Sequence, residues 1–237
     1  MLWYKVWLET RMRFLSCLIG ITALLAYDMY RMDAGITSPV NAAYYNSIMN
    51  GRFGRLATCW LLVVNLLAMG GLLREKAVGA ASFTLGLPFG RARLVVVRGA
   101  VSLGQALALL VVPWAAIYLT GAIFGKAYAF SQALSHLLFL AGGGLPLFAL
   151  AFFVSTVVEG EYTAPMMSCG IMLEISQQVP PSLNRYNPIA FMGGGGQRYS
   201  PVGLVTGRIH WVSIVVFCVL TATLLFSSVK AIERREF

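Results

Sequence analysis

The sequence predicts an all-α polytopic membrane protein with six transmembrane helices. Of its 237 residues, 58% are apolar and only 11% are charged, and the charges cluster so that long stretches contain none. A soluble protein of average composition has about 25% charged residues. A helix needs about 20 mostly apolar residues to cross a bilayer, and several stretches of this chain meet that requirement.

Six apolar stretches are the predicted spans. Four contain long uncharged runs, the cleanest being IHWVSIVVFCVLTATLLFSSV, whereas the first is short and the fifth is interrupted by Glu174. The first follows a charged start but has no small-residue cleavage site before Asp28, so we interpret it as a retained span and not as a signal peptide. The predicted spans cover approximately residues 14–30, 56–73, 94–122, 131–157, 162–179 and 209–229 of a single domain, 1–237.

The positions of lysine and arginine predict the orientation of the spans. Six spans place both termini on one side of the membrane, and with that side as the cytoplasm, its segments hold 11 of the 18 basic residues while the outer segments hold 7. Because cytoplasmic loops are generally richer in these residues, both termini are predicted to be cytoplasmic. The net charge of +9 then fits anionic lipid headgroups at that face. Nucleic acid is not an expected partner, because no basic patch stands apart from the span ends.

The first 13 residues, MLWYKVWLETRMR, predict a separate helix that lies flat on the lipid headgroups, an elbow before the first span. Apolar and aromatic residues recur at helical spacing on one side, and charged residues recur on the other. They are Leu2, Trp3, Val6 and Trp7 on the apolar side, with Lys5, Glu9 and Arg13 on the charged side. Tryptophan and tyrosine beside basic residues are typical of interfacial helices. A plain cytoplasmic overhang is the alternative.

The motifs exclude several kinds of chemistry. The sequence contains no G-x-x-x-x-G-K-[ST], so no phosphate-binding loop is present. The run GGGG at 193–196, with Gln197 and Arg198, is only faintly similar to an ATP-binding-cassette signature and is better explained as a flexible connector. His136 and His210 lack metal-ligand spacing, and no G-x-S-x-G elbow occurs. The four cysteines lie inside spans without a C-x-x-C pair, which predicts small buried apolar residues.

A few polar residues lie inside the predicted spans. Glu174, Gln177 and Gln178 share one helical face in the fifth span. They form either the polar wall of a substrate path, or a group that lies near the outer interface or packs between helices. Asn65 and Gln105 are single polar residues in the second and third spans, where hydrogen bonds between helices are the expected role.

The connector between the second and third spans, LLREKAVGAASFTLGLPFGRARLVVV at 72–97, is basic and compact. Val78, Ala81 and Leu85 recur at i, i+3 and i+7, which predicts a short helix with one apolar edge. The sequence GLPFG then ends that helix, since Pro88 does not continue it comfortably. A short helix held against the inner face of the membrane, with a rigid turn after it, is suited to receive an applied mechanical force. An ordinary structured loop has the same sequence pattern.

This connector resembles that of the type-2 ABC transporter permeases, whose pattern is R-E-K-x-x-G…F-x-L-S-L-P-x-x-R-x-R-L. Here the stretch reads REKAVGAASFTLGLPFGRARL, with Gly86 where serine is more usual. The start WYKVWLETRMRFL is similar to the family's elbow helix, LNRYNPIAF to its Asn-Pro element, and ERREF to its short basic tail. The resemblance therefore covers essentially the whole chain.

The resemblance implies a non-catalytic transport subunit of an exporter in a bacterial or archaeal cytoplasmic membrane. Two permeases, identical or paralogous, would pair in the membrane above two separate ABC ATP-binding subunits, which would bind ATP and Mg²⁺ while this chain holds no cofactor. Residues 74–93 would form the coupling segment, and residues 179–208 an outer loop that dips back into the membrane. The ATPase-coupling residues would be Arg74, Glu75, Gly79, Leu85, Pro88 and Arg91, and the substrate path would include Glu174, Gln177 and Gln178.

Two other classes of function remain open. A secondary transporter would use Glu174 as a proton or ion site and would need inverted repeats or paired broken helices. No convincing repeat is present, although Pro113 and the GGGLP at 142–146 are candidate breaks in the third and fourth spans. The other possibility is a membrane scaffold without transport activity.

Overall fold

The computed structural model describes residues 2–30, 42–68, 90–123, 128–158, 163–195, 197–201, 203–206 and 209–234. These residues are predominantly helical, and one isolated antiparallel bridge joins Tyr199 to Val205. The described helices are α1 (Leu2–Tyr30), α2 (Ala42–Ala68), α3 (Arg91–Ile123), α4 (Phe130–Val157), α5 (Thr163–Gln178), α6 (Pro188–Met192) and α7 (Trp211–Glu233), with a 3₁₀ helix at Pro181–Tyr186.

Four of the described helices, α1, α3, α4 and α7, are long and apolar enough to cross a membrane. The other two predicted spans also contain helices, α2 and α5. The 16 residues of α5 measure about 24 Å, which is less than the roughly 30 Å of a bilayer's hydrocarbon core. The described part of the chain is therefore helical with four candidate spans, and six spans stay a prediction.

The first helix differs from the prediction of an elbow followed by a span. α1 is continuous over 29 residues, which is about 43 Å, so a separate helix over residues 2–13 is not confirmed. Its predicted apolar side is also divided, since Leu2 and Val6 are buried whereas Trp3 is 56% exposed and Trp7 is 38% exposed. Leu2 and Val6 join the main hydrophobic core, a contact with distant residues that the local pattern did not reveal.

The second helix begins earlier than the predicted span of 56–73. α2 starts at Ala42 and therefore includes Arg52 and Arg55, which the sequence placed in an outer segment. Both arginines pair with Asp28 near the end of α1, and the Arg52 Nη1–Asp28 Oδ2 distance is 2.7 Å. This shared carboxylate explains how two arginines are accommodated within the helix.

Helix α4 is the centre of the fold. It packs against α2, α3, α5, α6 and α7, and 61% of its most apolar stretch is buried inside the chain, against 33% or less for the other candidate spans. α1 lies outside this group and packs mainly against α3. The central position explains why α4 is apolar around most of its circumference.

Contacts with α4 fix the directions of its neighbours. Phe53 stacks on His136 with ring centroids 4.6 Å apart, and Trp60 lies against Gly144, so α2 runs parallel to α4. The Trp114 indole donates to the Ala133 carbonyl at 2.8 Å, and Gly99 lies against the Phe152 ring, so α3 runs antiparallel. The end of α2 and the start of α3 therefore lie at one end of the bundle, the Val157 end.

The glycines of the GGGLP sequence form a packing surface and do not break the helix. α4 continues through Pro146, and α3 likewise continues through Pro113. A Cβ added at Gly143 would lie 2.3 Å from the Pro188 carbonyl oxygen, and one at Gly144 would lie 2.9 Å from the Trp60 ring. The absence of side chains at Gly142, Gly143 and Gly144, called the α4 glycine notch below, lets α2 and α6 approach closely.

The two isolated polar residues of the predicted spans make the expected hydrogen bonds between helices. The Gln105 amide donates to the Thr10 hydroxyl of α1 at 2.7 Å. Asn65 accepts a hydrogen bond from the Ser168 hydroxyl of α5, and its amide lies 3.6 Å from the Met172 sulfur. Both predicted roles are confirmed.

The prediction of four buried cysteines is only partly matched. Cys17, Cys59 and Cys169 are half-buried, whereas Cys218 is exposed, and all four are free thiols. Cys218 lies on the side of α7 that faces away from the bundle. The apolar sequence around each cysteine thus predicted a helix correctly, but it did not indicate whether the thiol faces the bundle or points away from it.

The glycine notch predicts a selective effect of added methyl groups. Gly143→Ala is expected to lower the free energy of unfolding by roughly 1–3 kcal/mol through overpacking, measured by thermal unfolding in detergent. Gly104→Ala is the matched control, because Gly104 is an exposed glycine of α3 with nothing within 4 Å of an added Cβ. Equal stability of the two variants would contradict the close packing of α6.

The six-span topology predicts that residues near 80 and near 235 lie on the same side of the membrane. The end of α2 and the start of α3 share the Val157 end of the bundle, as the ring and glycine contacts above require. Single cysteines introduced at these two places are expected to react alike with an impermeant thiol reagent in sealed vesicles. Labelling from opposite sides would rule out this topology.

Candidate functional site

The chain between α5 and α7 enters the helical bundle. Asn187 begins this inward segment, and its side-chain oxygen accepts from the amides of Ile189 and Ala190 at 3.1 and 3.4 Å. Its amide nitrogen donates to the Ile175 carbonyl in the last turn of α5 at 3.3 Å. One buried side chain thus caps α6 and fixes that helix to α5.

Local sequence accounts for this path. Pro180 precedes the 3₁₀ helix, which begins at Pro181, and Pro188 is the first residue of α6 directly after its Asn187 cap. Proline at a first helical position and asparagine at a cap are favoured for steric and hydrogen-bonding reasons. The Asn-Pro element noted in the sequence is therefore the start of α6.

The glycine run that follows α6 makes an ordered turn. The Gly195 amide donates to the Ala190 carbonyl at 2.6 Å, and the Gly194 amide donates to the Phe191 carbonyl at 3.0 Å. Gly194 has a φ of +79°, a conformation that side chains disfavour. Gly193–Gly195 thus end α6 in a hydrogen-bonded turn, Gly196 lies outside the described residues, and the flexibility of this connector stays a prediction.

Aromatic rings hold α6 between two long helices. Phe191 is buried, and its ring makes edge contacts with Phe139 of α4 and Phe217 of α7 at centroid distances of 5.5 and 5.2 Å. The three phenylalanines form a separate small core. Edge-to-face geometry at these distances is favourable for aromatic pairs, so α6 is anchored on both sides.

The contact with Gly143 fixes the level of α6 along the bundle. Gly143 lies 13 residues after the start of α4 and 14 before its end, which is about 20 Å from either end. α6 therefore lies level with the middle of α4. Because Asn187 also bonds Ile175, the last turn of α5 lies close to the same level.

The three predicted polar residues of α5 are on one face, as expected. Glu174, Gln177 and Gln178 are exposed, and the Gln178 amide donates to the Glu174 carboxylate at 3.3 Å. Glu174 is therefore not packed between the described helices. It also lies next to Ile175, near the middle level of α4, where facing lipid would cost a charged group about 2.5–3.5 kcal/mol.

These residues belong to a stripe that runs the full length of α5. The stripe, called the α5 outer face below, recurs at intervals of three or four residues, and all of its members are exposed. They are Thr163, Met166, Met167, Gly170, Leu173, Glu174, Gln177 and Gln178.

A hairpin-like segment covers the Phe130 end of the bundle. The Gln132 side chain makes two hydrogen bonds to the backbone of Val205, at 3.1 and 2.9 Å. The Asn50 amide donates to the Gly203 carbonyl at 2.9 Å. Side chains of α2 and α4 thus hold the described part of residues 197–206 in place.

His136 lies in a buried polar cluster that the sequence did not predict. Its Nε2 atom is 2.9 Å from the Asn50 side-chain oxygen and 3.3 Å from the Tyr128 hydroxyl. These partners are 86 and 8 residues away in the chain. Among the described residues, no group of three or more histidines, cysteines and acids comes together.

An ion pair between a buried arginine and an exposed glutamate joins the first and third helices. The Arg98 guanidinium lies 3.1 Å from the Glu9 carboxylate, and Lys5 lies 3.7 Å from the same group. Arg98 is almost fully buried. The Lys5–Glu9 spacing was recognisable in the sequence, whereas the Arg98 partner, 89 residues away, was not.

The predicted ATPase-coupling residues lie almost entirely outside the described residues. The described residues end at Ala68 and resume at Gly90, and they include none of Arg74, Glu75, Gly79, Leu85 and Pro88. Arg91 is the first residue of α3. The coupling helix stays a prediction from the sequence.

Comparisons with protein-family models and with curated proteins gave no match to this chain. The resemblance to type-2 ABC permeases thus rests on the motifs of the sequence itself.

The double role of Asn187 predicts a local loss of stability. Asn187→Ala removes the α6 cap and the bond to Ile175, and it is expected to cost about 1–2 kcal/mol. Thermal unfolding of the purified protein measures this change. Asn184→Ala, three residues earlier and half-exposed, is the control and is expected to change stability by less than about 0.5 kcal/mol. Similar losses in both variants would show that the cap is unimportant.

Proposed function

We propose that this chain is the membrane-spanning permease subunit of an ATP-driven ABC exporter. It moves a substrate across the cytoplasmic membrane with energy from ATP that a separate ATP-binding subunit hydrolyses. The observation that supports this most strongly is the connector REKAVGAASFTLGLPFGRARL, which lies between two helices whose ends share one end of the bundle.

The Val157 end of the bundle is suited to dock a partner. The end of α2, the start of α3 and the start of α5 all lie there, and Arg98 near the start of α3 holds Glu9 of α1. A displacement of the connector would therefore act on α2 and α3 directly and on α1 through the ion pair. This arrangement favours a connector that transmits motion.

The inward path of α6 supports the same proposal. The resemblance implies an outer loop that dips back into the membrane, and α6 packs level with the middle of α4 through Gly143 and the three phenylalanine rings. Irregular backbone at that depth needs protein or water around it. The capped, glycine-terminated α6 meets that requirement.

A secondary transporter that uses Glu174 is the second candidate. The end of α5 near the level of mid-α4, with an exposed carboxylate, favours it, because helices interrupted at this depth are typical of ion sites. Against it, α3 and α4 continue through Pro113 and Pro146, so neither supplies the paired break. The exporter subunit is therefore the better-supported function.

The proposal predicts that substitutions in the connector uncouple the permease from its ATPase. Gly79→Glu and Leu85→Asp are expected to abolish assembly or export while insertion stays normal, because a charge would disrupt an apolar docking edge. Co-purification with a co-expressed candidate ABC ATP-binding subunit, followed by ATPase and transport assays, measures the effect. The purified permease alone is expected to hydrolyse no ATP.

Matched controls keep this test specific. Gly79→Ala and Leu85→Met preserve size and polarity approximately, and both are expected to retain assembly and export. Full transport by Gly79→Glu and Leu85→Asp in an intact complex would place the ATPase contact elsewhere. Specific ATP turnover by the permease alone would contradict the division of labour.

A further inference from the structure

The first half of α2 carries a surplus of positive charge. Arg52 and Arg55 share the carboxylate of Asp28, and both contacts are made to its Oδ2 atom. Among the ion pairs of the described residues, Asp28 is the one acid that contacts either arginine. Arg52 and Arg55, called the α2 arginine pair below, therefore bring one more positive charge than their partner neutralises.

The α2 arginine pair also has donors to spare. A guanidinium has five N–H groups in a fixed plane, and a single carboxylate oxygen accepts few of them. The Arg52 Nη1 atom is buried and makes no aligned hydrogen bond within the described part of the chain, although it lies 2.7 Å from Asp28 Oδ2. The Arg55 side chain is 59% exposed. Because buried donors normally have acceptors, a further acceptor would complete this cluster.

The backbone beside the pair leaves room for a ligand. Gly51 precedes Arg55 by four residues and lies on the same exposed side of α2, and Gly54 directly precedes Arg55. A Cβ added at either glycine would meet nothing within 4 Å. A ligand can therefore approach the Arg55 guanidinium along a surface without side chains.

The depth of the pair makes an unbalanced charge costly. Phe53 stacks on His136, which lies about 9 Å from the Phe130 end of α4, and Arg55 lies two residues further inward, at about 12 Å. The 28 residues of α4 measure about 42 Å, so a centred hydrocarbon core of about 30 Å begins about 6 Å from each end. The surplus charge thus lies below the headgroup level, where a negative partner or water stabilises it.

An apolar strip continues inward from Arg55 on the same side of α2. Thr58, Leu62 and Leu66 follow at intervals of three or four residues, which places them on one face of the helix. Leu62 is 60% exposed and Leu66 is 45% exposed. The face therefore changes from positive toward the Phe130 end to apolar toward the middle. That order matches a ligand with an anionic head and a hydrocarbon body.

We propose that Arg52 and Arg55 bind the phosphate or carboxylate group of an anionic amphiphile. The apolar body of the amphiphile lies along Leu62 and Leu66. Guanidinium groups bind either oxyanion through two parallel hydrogen bonds. Asp28 is a positioning residue, because it holds both guanidiniums together and competes with the ligand for their donors. The inference rests on the proposed function only where it assigns the amphiphile as exported cargo.

A fluorescent probe tests the charge selectivity of the site. Dansyl-undecanoate and its uncharged amide are titrated into the purified full-length chain in dodecyl maltoside. The acid is expected to bind at least about tenfold more tightly than the amide, because only the acid offers an oxyanion to the arginines. Arg55→Gln is expected to remove most of this difference and to leave amide binding unchanged. Arg185→Gln, at an exposed arginine of the 3₁₀ helix, is the matched control and is expected to retain the difference.

Asp28→Asn separates ligand binding from a structural role. The substitution removes the competing carboxylate and frees donors of both arginines, so the acid is expected to bind at least about threefold more tightly than it binds the native chain. A purely structural cluster would lose stability without gaining affinity for the acid. This variant keeps both arginines, so the test stays decisive if Arg55→Gln does not fold.

Transport and lipid analysis distinguish cargo from a resident membrane lipid. Inverted vesicles that contain the chain with a co-expressed candidate ABC ATP-binding subunit are expected to take up dansyl-undecanoate on addition of ATP. Arg55→Gln is expected to reduce this uptake at least about fivefold. Native mass spectrometry of the purified chain measures retained phosphatidylglycerol, which a headgroup site would hold and Arg55→Gln would lose.

Each remaining outcome is decisive. Equal binding of the acid and the amide, or no gain of affinity in Asp28→Asn, overturns the anion site. Phosphatidylglycerol that is retained through Arg55, without ATP-driven uptake of the probe, overturns the assignment as cargo and makes the ligand a membrane lipid. Charge-selective binding by a chain that assembles with no ABC ATP-binding subunit supports the anion site and refutes the exporter function.

Discussion

The close approach of other chain segments to the α4 glycine notch is the constraint on which the rest of the fold depends. Gly143 brings the Pro188 carbonyl, and Gly144 brings the Trp60 ring, closer than a side chain would allow. Through Trp60 the notch sets the position of α2, and through Pro188 it sets the level of α6. The Asn187–Ile175 hydrogen bond then fixes the last turn of α5 at the same level. The depth of Glu174 in the bundle therefore depends on the lack of side chains at the α4 glycine notch.

Charge pairing makes the ends of the bundle compatible with a membrane. Glu9 with Arg98, and Asp28 with Arg52, pair groups from different helices, which lowers the cost of holding them near or below the headgroups. The first pair also makes the start of α1 part of the Val157 end. The start of α1 was predicted to be a separate helix on the membrane surface. The Glu9–Arg98 pair instead joins it to α3, the helix that follows the connector.

The site and the proposed function are linked by the exposed face of α5. A single chain leaves Glu174 and its glutamines uncovered near the level at which a bilayer tolerates charge least. Under the proposed function a water-filled path between two permeases would lie there, which would make these residues relevant to transport. The end of α2 and the start of α3 lie toward the opposite, Val157, end of α5, and Asn65 of α2 accepts a hydrogen bond from Ser168 of α5.

The sequence by itself determined the membrane class, the position of most helices, and the roles of Asn65 and Gln105. These follow from apolar runs and from single polar residues within them, which are local properties. Only the tertiary structure decided that α1 is continuous, that the prolines of α3 and α4 do not break them, and that the glycines after α6 form a turn. It also decided the partners of His136 and Arg98. The physical reason is distance along the chain: His136 meets Asn50 across 86 residues, and no local period specifies such a contact.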